Sequence, residues 1–123
     1  MFKMKIFNET KEIAQQEKLQ TRKLLNKLQV IDRGKLYCDL QYSSLFQYIV
    51  KELKYSQAEA VVRVNAVRFM SRSRKAKKAV EQGDVSLSNA ASANKILEGN
   101  KDKQKENRIL KEKPSVQPSN LKL

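Results

Sequence analysis

The sequence contains no histidine and no tryptophan, and its 123 residues include one cysteine, two prolines and three glycines. Each shortage excludes something. Without histidine the chain lacks the commonest general base and the commonest metal ligand. The single cysteine, Cys38, rules out an internal disulfide framework and fits a reducing compartment. Free cysteines are usually buried, and no histidine is present to activate the thiol, so Cys38 is expected as a small core residue on a helix. Gly34, Gly83 and Gly99 are isolated, which leaves no phosphate-cradling loop. No apolar run approaches the ~20 residues of a membrane span. Residues 1–7 lead straight into charges from Glu9 onward, unlike a secretion signal. The expectation is a cytoplasmic chain with no membrane contact, no metal and no cofactor. Asp32 and Asp39 fall on one helical face, but charged residues on a long helix are ordinarily solvated.

What the chain has in excess is positive charge. Twenty-six Lys and Arg stand against 13 Asp and Glu, a formal +13. Such a balance draws polyanions to the surface and says little about fold.

The apolar pattern is helical throughout, with no strand-type alternation. Over residues 8–40, Leu24, Leu25, Leu28, Ile31 and Leu36 recur mostly at three- and four-residue steps. Asn8 or Thr10 is a candidate cap, and Gly34 predicts a bend or break near residues 32–35. Ser44 with Gln47, and Ser56 with Glu59, have the spacing of capping boxes. Between them Leu45, Ile49 and Leu53 form one stripe of a short helix. In the next helix Ala60, Val64 and Val67 form one stripe, and Ala58, Val62, Ala66 and Phe69 a second. Two stripes predict a helix clasped on both sides, with Gln57, Val61, Asn65, Arg68, Arg72 and Lys75 along a polar edge. Gly83 and Asp84 stop the pattern, and Ser86 or Ser88 caps a last short helix through Ile96 and Leu97. Beyond Glu98 the composition is too polar to repay folding entropy, so a disordered tail is expected.

A short helix, a tight turn and a longer cationic helix outline a helix-turn-helix. In that geometry Gln57, Val61 and Asn65 would meet base edges, with Arg68 and Arg72 further along. Charge placement strengthens the outline. Residues 60–80 carry Arg63, Arg68, Arg72, Arg74, Lys75, Lys77 and Lys78 and no acid. Like charges at i,i+4 destabilise a helix, and a phosphate backbone is the usual compensator. The bland reading is a solvated polar face on an ordinary helical hairpin. A membrane-surface helix fits poorly, because the apolar residues here are mostly Ala and Val.

Ile31, Asp32, Arg33, Gly34, Lys35, Leu36 and Tyr37 open a series of clusters that resembles a known family. They are followed by Tyr42, Ser43, Ser44, Leu45, Phe46, Gln47 and Tyr48, then by Lys51, Glu52, Leu53, Tyr55 and Ser56. The stretch from Arg63 to Arg68 and the run Gln82, Gly83, Asp84, Val85, Ser86, Leu87 and Ser88 complete the order. The series resembles the N-terminal helical region of bacterial HNH endonucleases across residues 9–97. Gly34 stands where that family usually has arginine, and Gln41 and Lys54 where it usually has glycine. The nuclease module with its paired histidines is missing, so the resemblance implies a helical, nucleic-acid-handling domain without catalytic residues.

The sequence thus predicts an all-α bundle of about five helices with a helix-turn-helix-like core. Residues 1–7 are read as an extension, 8–97 as the domain and 98–123 as a disordered basic tail. Non-catalytic DNA binding is expected through Gln57, Arg63, Asn65, Arg68, Arg72, Arg74, Lys75, Lys77 and Lys78, with RNA as a possible ligand. The alternative is a protein-interaction module that forms a homodimer or docks on a nuclease partner.

Overall fold

The computed structural model describes residues 1–112, with side chains through residue 100. The described residues are all-helical, in five α-helices joined by one 3₁₀ and one π turn. The first, α1, spans Phe2–Gly34, about 50 Å of helix. It begins at Phe2 and not at Asn8, so residues 1–7 extend the helix instead of preceding it. Nothing in that stretch breaks a helix, and Thr10 Oγ1 donates to the Ile6 carbonyl instead of capping. The helix stops in the predicted window, with Lys35 left-handed at φ 50° and its N–H on the carbonyls of Ile31 and Asp32. A 3₁₀ turn, Leu36–Leu40, follows. It carries Cys38 on the surface, which overturns the expected core position.

Local capping sets most of the remaining starts. Ser44 Oγ accepts the Gln47 N–H at 3.1 Å and opens α2, Leu45–Gln47. The reciprocal half of that box is displaced by one residue, because Gln47 Oε1 accepts from the Ser43 N–H. The turn then widens into a π segment, Tyr48–Glu52, where the Leu53 N–H reaches the Tyr48 carbonyl at 3.2 Å. Here the Tyr42 hydroxyl donates to Glu52 at 2.8 Å, which raises the phenol's pKa above its ordinary value.

Helix α3, Gln57–Met70, opens with the complete box. Ser56 Oγ accepts from the Glu59 N–H at 3.1 Å, and Glu59 Oε1 accepts from the Ser56 N–H at 2.9 Å. The hydrogen bond from the Ser56 backbone N–H is the largest cause holding the Glu59 carboxyl below its ordinary pKa. A lowered folded pKa means a contribution present at neutral pH and lost as pH falls through the folded value. Ser56→Ala should therefore cost about 1 kcal/mol in a urea melt at neutral pH. The melting gap between Glu59→Ala and the parent should narrow on acidification.

Between the two boxes Lys54 sits at φ 67°, and Gln41 sits at φ 68° after the 3₁₀ turn. Both adopt the left-handed conformation that costs a side chain about 1–2 kcal/mol and glycine almost nothing. Lys54→Gly should raise stability by about 0.5–1 kcal/mol net of the looser unfolded chain, as read from the shift of a denaturation midpoint.

Helix α3 is the centre of the molecule. It packs along α5, Leu87–Glu112, and also touches α1, α2 and α4, Arg74–Glu81. Ala60, Ala66, Val67 and Met70 of α3 are buried, as are Ala90 and Ala91 of α5. Small residues on both helices let the backbones approach closely. Leu25 and Leu28 of α1, Leu45, Ile49 and Val80 close the rest of the core. The clasped helix foreseen from two apolar stripes is present, although Ala58 is exposed and Val62, Val64 and Phe69 are only half-buried.

Two boundaries differ from the sequence reading. Helix α3 ends at Met70, and Ser73 starts α4 by accepting the Ala76 N–H at 3.0 Å. The polar edge drawn from Gln57 to Lys75 is therefore split between two helices. The last helix, capped by Ser86, continues past Leu97 to Glu112. Lys, Gln and Glu are good helix formers, and no proline intervenes before Pro114. The remainder of the expected tail, residues 113–123, lies outside the described residues. No helix among the described residues is long and apolar enough to cross a membrane.

Candidate nucleic-acid interface

The seven cations of residues 60–80 divide into two groups. Three are engaged in contacts within the chain, Arg68 and Arg72 of them at its surface. Arg63 lays its guanidinium 4.4 Å from the centroid of the Tyr55 ring and donates to the Glu59 carbonyl at 3.1 Å. Its Nε is buried with no hydrogen-bond partner, so this side chain packs and does not reach outward. Arg68 forms a two-pronged pair with Asp32 of α1, Nε and Nη2 each 3.2 Å from a carboxylate oxygen. Arg72, in the turn after α3, donates from Nε to Asn94 Oδ1 and from Nη2 to Glu98 Oε1, both at 2.9 Å.

Asn65 is engaged as well. Its Oδ1 accepts from Asn94 Nδ2 at 2.8 Å, while its own Nδ2 donates to the Val61 carbonyl. Asn94 is thus the hub of a polar joint between α3, the following turn and α5, and it is only 3% exposed. Three of the five candidate base readers, Asn65, Arg68 and Arg72, are spent on internal contacts. The exposed part of α3 near its start is Gln57, Ala58, Glu59 and Val61, with Glu59 held by its cap. Only Gln57 remains as an exposed amide on that helix.

Asn94 and Asp32 were not seen as partners in the sequence. For Asn94 there was a signal: a lone amide four residues after Ala90, on the apolar face of α5.

Arg74, Lys75, Lys77 and Lys78 form the second group, all on α4. Ala76, Ala79 and Val80 turn inward, Val80 to 1% exposure. At 100° per residue the four cations occupy an arc of about 160° on the opposite side. Arg74, Lys75 and Lys78 are exposed, and Lys77 lies half-buried along its stem. The two ion pairs found among the described residues involve Arg68 and Arg72, and none involves α4.

This helix is built against its own electrostatics. Arg74 lies three and four residues from Lys77 and Lys78, so like charges are neighbours on one face. Arg74 and Lys75 also occupy the first turn, which contains no acid, where the helix dipole disfavours cations. Glu81, at the far end, is the helix's one carboxylate.

Among the described residues no group of three or more Cys, Asp or Glu side chains is placed to hold a metal ion. No family of known proteins, no curated protein and no solved structure matches the chain.

Proposed function

We propose that the protein is a non-catalytic nucleic-acid-binding module, cytoplasmic, that grips phosphate backbones through Arg74, Lys75, Lys77 and Lys78. The observation that carries this reading is the α4 arc. Four cations crowd one short helix and repel one another, and Arg74 and Lys75 oppose its dipole, with no ion pair among the described residues to offset either cost. A row of phosphates outside would offset both. The likeness of the Ile31 to Ser88 clusters to the N-terminal region of HNH endonucleases accords with this reading.

Binding of this kind is indifferent to base sequence. Phosphate contacts fix position and carry no sequence information, and the side chains suited to base edges are largely bound within the protein. The test is a titration of the protein onto duplexes of unrelated sequence over a range of salt. Affinities that differ between sequences by more than a few-fold, or that ignore salt, would overturn the reading.

A further inference from the structure

The N-terminal half of α1 is a helix without a core. Residues 1–18 are exposed along their whole length. Met1, Phe2, Met4, Ile6, Phe7 and Ile13 lie there, half of the large apolar side chains left exposed among the described residues. A helix of this length is marginal in water without packing. At 100° per residue Phe2, Ile6, Phe7, Ile13 and Ala14 fall within an arc of about 140°. Leu24, Leu25 and Leu28 enter the core from the same arc. The packing face of α1 therefore continues outward, bare.

Charge and register indicate what covers it. Residues 1–18 carry Lys3, Lys5, Lys11 and Lys18 against Glu9, Glu12 and Glu17, a net of +1 in a chain of +13. An anionic surface gains little from such a segment, whereas two strongly basic molecules can approach each other only through a nearly neutral patch. We propose that residues 2–18 pair antiparallel with the same residues of a second copy, about a two-fold axis at Thr10. In that register Lys3 lies level with the partner's Glu17, Ile6 with the partner's Ala14 and Phe7 with the partner's Ile13. All of these positions belong to the one arc, and the isologous pairing makes each contact twice. The overlap is about 25 Å of helix. A parallel pair would bring both bundles to the same end, where beyond residue 18 this face of α1 is already taken up by its own core through Leu24, Leu25 and Leu28. The antiparallel pair sends each bundle off an opposite end.

The proposal is independent of the phosphate contacts and is tested without nucleic acid, by sedimentation of the full chain over a range of concentrations. The parent should show a reversible monomer–dimer equilibrium. Lys3→Glu and Glu17→Lys should each weaken it by about tenfold. An equimolar mixture of those two variants should recover the parent's association, since each mutant position then faces its opposite. Ile6→Asp with Ile13→Asp should leave monomer whose thermal melt matches that of the parent diluted to its monomeric state, because both side chains are exposed in the single chain. A parent that stays monomeric throughout would overturn the proposal. So would charge variants that do not rescue each other, or a segment 2–18 that gains protection only when anionic vesicles are added.

Discussion

Asn94→Ala is expected to lower the stability of the protein by about 2–4 kcal/mol. The side chain is 3% exposed and serves two partners at once, accepting from Arg72 and donating to Asn65. Alanine fills neither role. The Asn65 side-chain oxygen loses its only side-chain donor, and the Arg72 guanidinium keeps Glu98, whose carboxylate is half exposed, and a long contact to the backbone carbonyl of residue 94. Each stranded group costs on the order of 1–3 kcal/mol where water cannot reach it. Arg72→Ala should cost less, because its side chain retains 27% exposure and its partner Glu98 is half exposed, so water reaches what is left behind. Arg74→Ala, by contrast, should stay within about 0.5 kcal/mol of the parent. Urea melts of the three variants give the order directly. If Asn94→Ala melts with the parent, the α3–α5 joint is not held by this network.

That network also marks where the sequence could be read and where it could not. Ser44, Ser56 and Ser86 cap helices as their local patterns foretell, because a cap involves only residues three positions apart. The arginine and asparagine partners lie 22 and 29 residues away from Asn94, and no local pattern encodes such pairs. Helical phase misled in one place. The polar edge of α3 continues in register through Ser71, Arg72 and Ser73, so Arg72 and Lys75 look like its extension. The start of α4 has Ala76 where a capping box would have Glu or Gln, and the boundary is correspondingly faint. Sorting the cations into internal and external groups therefore needed the fold. The count of seven was visible in the sequence, but which four form no ion pair among the described residues was not.

That sorting fixes the size of the salt effect. A protein that neutralises Z duplex phosphates loses affinity with a slope of about −0.9Z in log–log form. Seven contacts would give a fall of several thousand-fold between about 50 and about 200 mM salt, whereas four give roughly 10²-fold. With Arg63, Arg68 and Arg72 engaged in contacts within the chain, the expected value is the smaller one. Replacing Arg74, Lys75, Lys77 and Lys78 by glutamine should bring the slope close to zero and remove binding at moderate salt. The same four changes relieve like-charge neighbours and an opposed dipole, at a few tenths of a kcal/mol for each unfavourable contact. The variant should accordingly melt higher than the parent while binding less. Surface cations placed for solubility alone would give no loss of binding. A loss of binding through misfolding would lower the melt. Weaker binding together with a higher melting temperature separates a phosphate-gripping helix from both, and a salt slope that survives the four substitutions would move the interface away from α4.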